Sequence, residues 1–157
     1  MIQINWQKIK TYAISILIPV ALGAVVGLVI SGAMDYDSLE KPPLAPPSVL
    51  FPIVWSILYV LMGVSYGRLS VKGLNDSEAT SVYFAQLAVN LLCPVFFFVL
   101  KWRLFSFIWI IALLILVITM VIRFYRRDKA AGLLQIPYAA WVAFASYLNL
   151  TAYLLNR

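Results

Sequence analysis

Five times along this chain the charged residues drop out for about the width of a membrane. Tyr12–Ile30, Phe51–Gly67, Val82–Leu100, Phe105–Ile122 and Leu133–Leu155 contain no Asp, Glu, Lys or Arg, and measure 19, 17, 19, 18 and 23 residues. About 20 apolar residues cross a bilayer as α-helix. Between them the chain turns polar only briefly. This pattern predicts an all-α fold, a single integral membrane bundle of five transmembrane helices occupying 1–157. The second segment is short, and its missing length would come from the preceding residues or from Arg68 reaching to the interface. The first is longer than the ~7–15 apolar residues of a signal peptide and no small-x-small site follows it, so it reads as a span.

Prolines interrupt this pattern in one place. "LEKPPLAPPSVLFPIVW", Leu39–Trp55, holds five of the eight prolines. Each fixes its own φ and restricts the residue before it, so the segment over 35–50 reads as a stiff strap rather than a slack connector. Pro19, Pro94 and Pro137 fall inside or near the ends of spans, where each removes a helical hydrogen bond and can bend the helix. Gly23-x-x-x-Gly27 and Gly63-x-x-x-Gly67 are small-residue pairs that let membrane helices approach closely. They serve either packing within the bundle or a dimer interface.

Composition agrees with the pattern: 64% of residues are hydrophobic and 11% charged, where a soluble domain has roughly a quarter charged. The net charge of +6 then concerns topology rather than nucleic acid. Eight basic residues (Lys8, Lys10, Arg68, Lys72, Arg123, Arg126, Arg127, Lys129) fall on the N-terminal side of the bundle. Four (Lys41, Lys101, Arg103, Arg157) fall on the other. The positive-inside rule places the N-terminus in the cytoplasm, in what we read as the cell membrane, with the strap outside. Arg123–Gly132 reads as a basic cytoplasmic turn whose charge marks topology and attracts anionic lipid. Lys101–Leu104 reads as a tight hairpin between helices.

No histidine is present and Cys93 is the single cysteine. Disulfide frameworks and His/Cys metal sites are excluded, and with them His-ligated haem, while haem ligation by Tyr, Met or Cys stays open. None of the six acidic residues lies in a predicted span, which disfavours ion-coupled pumping. No P-loop or Ser/His/Asp set appears. What remains within the spans is uncharged and aromatic. Gln86 and Asn90 share a face of the third helix; Gln86 reads as structural, Asn90 as either structural or ligand-facing. Trp55 and Tyr59 share a face of the second. Tyr138, Trp141, Ala145, Leu148 and Asn149 share one broad face of the fifth. Trp6 and Trp102 fit an interfacial belt, but Trp141 lies eight residues into its span. Trp55 and Trp141, with room left by Ala145 and Gly27, would wall a pocket for a flat hydrophobic ligand.

"KPPLAPPSVLFPIVWSILY" (Lys41–Tyr59), "QLAVN" with "CPVFFF" (Gln86–Phe98) and "PYAAWVAFASYLN" (Pro137–Asn149) together resemble the translocator protein family. This is also known as the tryptophan-rich sensory protein or peripheral benzodiazepine receptor family. The resemblance covers all five segments. It implies a five-helix bundle, commonly a homodimer, whose first connector is a lid over a pocket. It also implies binding of protoporphyrin IX, haem, and isoquinoline carboxamide or benzodiazepine drugs, as ligands rather than required cofactors. The family's pocket positions fall on Gly27 and Ile30; on Phe51, Pro52, Val54 and Trp55, with Tyr59 one turn on; on Asn90 and Cys93; and on Trp141, Ala145 and Leu148. Family tryptophans are replaced by Leu44, Val49 and Cys93. Leu150–Arg157 matches the loose cholesterol-recognition pattern of mammalian members, and we read Arg157 as an interfacial anchor.

Three functions follow as expectations. The first is a membrane receptor or sensor for porphyrins, possessing a lid and pocket without charged relay residues, with movement of the ligand across or out of the bilayer as an extension of that role. The second is light- and oxygen-dependent degradation of protoporphyrin, with Trp55 and Trp141 as its only catalytic candidates. The third is a passive membrane structure whose aromatics merely pack. Beyond porphyrin and lipid, no nucleic-acid partner is expected.

Overall fold

A computed structural model describes residues 3–157. The described residues fold into helices and connectors alone, as the pattern predicts. The helices are α1 (Trp6–Ser31), α2 (Leu50–Val71), α3 (Ser77–Pro94), α4 (Arg103–Arg127), the short α5 (Lys129–Leu133) and α6 (Ile136–Leu155). Five segments are long and apolar enough to cross a membrane, with α5 and α6 together making the fifth. Local chemistry sets several boundaries. The Asn5 side chain accepts from the Lys8 N–H at 3.2 Å and opens α1; Asp76 accepts from the Ala79 N–H at 2.9 Å and opens α3. Both are side-chain N-caps that satisfy amides a helix start leaves unpaired. Gly73, at φ +68°, takes the left-handed conformation that ends α2.

The spans outrun their uncharged cores. Helix α2 has 22 residues rather than the expected 17, because it continues through Arg68 to Val71. The segment expected as a basic turn, Arg123–Gly132, is almost wholly helical: α4 continues through Arg127 and only Asp128 separates it from α5. Two of its three arginines find acidic partners. Arg127 bonds Asp76 and Glu78, and Arg123 lies 3.3 Å from Glu78. Pro137 stands at the start of α6, where its missing N–H costs nothing, so it bends no helix. After Pro94, α3 widens into a π-helical turn, Val95–Val99, in which the Leu100 N–H reaches back to the Val95 carbonyl at 3.0 Å. Such widening re-spaces the side chains beyond it.

Helix α1 packs chiefly on α2, while α4 packs on α3 and α6. Three of the four paired glycines pack inside the bundle, Gly27 being the exception. A methyl group on Gly63 would run into the Ile16 backbone of α1, and one on Gly67 into the Tyr12 ring at 2.8 Å. Gly23 lies under the Tyr59 ring. The core is Met62, Leu69, Tyr83, Leu113, Val117, Phe124 and Val142, all almost fully buried. Leu17, Leu28, Val29 and Ile115 are exposed on outer faces, as residues that meet lipid should be.

Candidate functional site

The strap carries its own internal bonds. After a short 3-10 turn, Tyr36–Ser38, the Tyr36 hydroxyl donates to the Pro46 carbonyl at 2.6 Å. The Ala45 N–H returns to the Pro42 carbonyl at 3.2 Å, closing a turn with Leu44 at φ +71°. Other bonds tie the strap to the bundle. The Tyr147 hydroxyl donates to the Pro43 carbonyl at 2.8 Å. Asn156 clasps the Glu40 backbone, accepting from its N–H at 2.9 Å and donating to its carbonyl at 3.0 Å. Arg103 holds Asp35 at 2.7 Å. Prolines preset the path, and three side chains, Arg103 of α4, Tyr147 of α6 and Asn156 just beyond it, fix where it lies.

Beneath the strap is a cavity of about 220 Å³. Eleven of the twelve residues singled out in the sequence line it: Gly27, Ile30, Phe51, Pro52, Trp55, Tyr59, Asn90, Cys93, Trp141, Ala145 and Leu148. The exception is Val54, which packs against the hydrophobic core instead. It neighbours Trp55 in sequence, and a helix turns successive residues about 100° apart. Trp55 and Trp141 both face the cavity from different helices. Phe51 sits edge-on to Trp141, centroids 6.0 Å apart, and Tyr36 edge-on to Phe51 at 4.9 Å.

The polar groups at the cavity form one chain. Tyr59 donates to Asn90 Oδ1 at 2.9 Å, Asn90 Nδ2 donates to the Tyr138 hydroxyl at 2.6 Å, and Tyr138 donates to Gln86 Oε1 at 2.7 Å. Asn90 is thus held between two tyrosines while still lining the cavity. Gln86 is fully buried behind it. Hydrocarbon would leave each of these groups unpaired, so the chain locks α2, α3 and α6 to one another. No cluster of His, Cys, Asp or Glu that could hold a metal occurs among the described residues. Cys93 lies 3.9 Å from Ser106, and Ser106 donates to Asn149 at 2.9 Å.

Sequence reading missed the contribution of α4. Ile110 and Leu113 line the cavity, but their i, i+3 spacing is that of any core face. Tyr36 and Phe97 also escaped notice, one in the strap and one in the π-helical turn. Of the three positions where family tryptophans are replaced, Leu44 and Val49 point outward from the strap, 82% and 64% exposed. Only Cys93 bears on the cavity.

Comparison with known proteins gives a consistent result. The model of the TspO/MBR family matches residues 15–154. The chain is 41% identical over 122 residues to the tryptophan-rich protein TspO of Archaeoglobus fulgidus, covering 77% of this chain and 79% of that one. It is 34% identical over 139 residues to the protein CrtK of Rhodobacter capsulatus, 87% of each chain. To the translocator protein of Ovis aries it is 32% identical over 118 residues, 73% of this chain and 70% of the other.

Proposed function

The chain belongs to the TspO/MBR family and is an integral membrane protein, and from that premise we propose that it is a receptor or sensor for porphyrins. Protoporphyrin IX or haem enters the cavity beneath the strap; isoquinoline carboxamide and benzodiazepine-type drugs compete for the same space. The observation that carries this reading is the cavity itself, apolar, walled by Trp55 and Trp141, and covered by a strap bonded to two helices. At about 220 Å³ it is smaller than the ~300–1,000 Å³ typical of drug-sized sites. A tetrapyrrole therefore has to enlarge the cavity, and the part that can give way is the strap, held by a few replaceable hydrogen bonds. Porphyrin transport would require the same motion. In this proposal the N-terminus faces the cytoplasm of a cell whose plasma membrane holds a homodimer. Impermeant labelling of a cysteine placed at Ser38, in a Cys93→Ser background, reverses the orientation if it needs cell lysis.

A titration of protoporphyrin IX followed by absorbance tests the reading. Trp55→Phe and Trp141→Phe should each weaken binding only modestly, because a smaller ring still stacks. The loss should be about 0.5–1.5 kcal/mol, roughly two- to twelvefold in Kd. Trp102→Phe, at the membrane interface, should change nothing. Absence of saturable binding to the wild-type chain would reject the proposal.

A second reading rests on the same two indoles facing one cavity: light- and oxygen-dependent breakdown of the bound porphyrin. The excited porphyrin would generate the oxidant from oxygen, and the indoles would carry or quench radicals, so no acid/base pair is needed. Turnover under illumination at saturating porphyrin isolates this step from binding. If both phenylalanine variants match wild type there, the tryptophans only pack.

A further inference from the structure

A second recess lies outside the strap-covered cavity, where the connector between α3 and α4 meets the end of α6. It is an open groove of about 510 Å³. Its rim carries Lys101, Arg103 and Arg157, and its wall continues down α4 through Phe105 and Ile108, with Trp102 at the lip. These three cations are three of the four basic residues on the strap side of the molecule, where the positive-inside rule disfavours them. They converge on one spot instead of being spread round the edge. A single carboxylate answers them: Asp35 lies 2.7 Å from Arg103 and 3.7 Å from Lys101. No Asp or Glu side chain pairs with Arg157 among the described residues. Lys101 itself sits at φ +56°, a conformation that favours glycine, and yet it presents a long cationic side chain that remains largely exposed.

Below the charges the surface turns apolar. Phe105 and Ile108 are exposed on α4, and the Trp102 ring lies parallel to Phe96 at 6.4 Å. From Arg103 to Ile108 the helix descends roughly 8 Å, about the distance from a headgroup phosphate to the upper acyl chain. Excess positive charge at the interface, an aromatic lip and an apolar wall beneath are the complement of one molecule. We propose that this groove binds an anionic glycerophospholipid, its phosphate between Lys101 and Arg157 and one acyl chain along Phe105 and Ile108. A water-soluble anion would use the charges but not the wall; a neutral lipid would use the wall but not the charges. Because Arg103 also holds Asp35 at the root of the strap, and Asn156 at the groove clasps Glu40, occupancy bears on the strap's anchorage.

The test uses the full chain in neutral detergent micelles doped with dioleoylphosphatidylglycerol, dioleoylphosphatidylcholine or glycerol 1-phosphate, with retained lipid read by native mass spectrometry. Phosphatidylglycerol should be retained about tenfold or more over phosphatidylcholine, from two cations near the membrane surface. The preference should shrink as salt is raised. Because the basic stretch at the opposite end also attracts anionic lipid, the groove is read as a difference: Lys101→Gln with Arg157→Gln should retain one phosphatidylglycerol fewer per chain than wild type, and Lys8→Gln with Lys10→Gln, at the opposite end, should not lose that molecule. Equal retention of the two lipids by the wild-type chain overturns the proposal, as does a Lys101/Arg157 variant that retains as much phosphatidylglycerol as wild type. Thermal stabilisation by glycerol 1-phosphate equal to that by phosphatidylglycerol also overturns it, leaving only an anion site. Should the double variant fail to fold, Lys101→Gln alone decides by the same comparison.

Discussion

A methyl group placed on Gly27 would meet no atom within 4 Å, whereas one placed on Gly63 would run into the backbone of α1. Both glycines belong to the same kind of sequence pair, and only the packing separates their roles. Valine at Gly27 should therefore intrude into the cavity without disturbing the fold, since valine is no worse than glycine in a helix. Porphyrin affinity should drop by roughly tenfold, the order expected when a filled site must be repacked. The thermal midpoint in detergent should stay level or rise. Alanine at Gly63 should do the reverse, costing about 1–3 kcal/mol of stability through overpacking. If Gly27→Val lowers the midpoint as Gly63→Ala does, the space beside Gly27 is not part of a binding site. At Leu44 the strap turn forces a left-handed backbone on a residue without glycine's freedom, a conformation costing roughly 1–2 kcal/mol. The bonds on either side of the turn, Tyr36 to Pro46 and Tyr147 to Pro43, hold it there.

Among the elements, the strap and the α4–α5 junction are held by opposite means. The strap relies on preset backbone. Replacing Pro42, Pro43, Pro46 and Pro47 with alanine should weaken porphyrin binding, each proline accounting for about 0.4–1 kcal/mol of ordering. Helical circular dichroism should not change, and unaltered affinity would make the strap a plain connector. At the junction charge does the holding. Asp128 is buried between Arg68 and Lys72, each at 2.7 Å, and caps α5 through the Ala130 N–H at 3.0 Å. Burial pushes its carboxyl up, but the Lys72 ammonium, the Arg68 guanidinium and the Ala130 N–H outweigh it and pull the pKa down to about 2. A carboxyl depressed in the folded state contributes stability above its unfolded pKa and loses it as pH falls towards the folded one. The stability gap between wild type and Asp128→Asn should thus be constant above about pH 4 and close between about pH 4 and pH 2. A gap that persists undiminished at pH 2 would mean the carboxylate charge is not what holds the junction. None of this junction was legible beforehand, because acidic partners from distant segments turned a basic stretch into helix. The cavity was legible, because Trp55, Asn90 and Trp141 are residues that hydrocarbon-buried helices seldom need. Ile110 and Leu113 were not, being what such helices are made of.

Taken as a whole, the molecule is fastened at both ends and open along one side. Arg103 and Asp35 close one end, Asp128 and its cations the other. Between them α1 rests chiefly on α2. Gly27, about one turn from the strap end of α1, is exposed on the bundle's outer surface and at the same time lines the cavity. That small residue leaves a window facing the bilayer. A hydrophobic ligand entering there is drawn from a solution in lipid, so its rate of binding is set by mole fraction in the membrane and not by molarity in the buffer. In reconstituted vesicles with porphyrin already partitioned, doubling the lipid at fixed protein and total porphyrin should halve the porphyrin per lipid and lower the initial binding rate about twofold. Plotted against porphyrin-to-lipid ratio, the initial rates should superimpose. Initial rates that follow only the free aqueous porphyrin, with slow binding once ligand has partitioned into the bilayer, would place the entrance at the strap and not at the window.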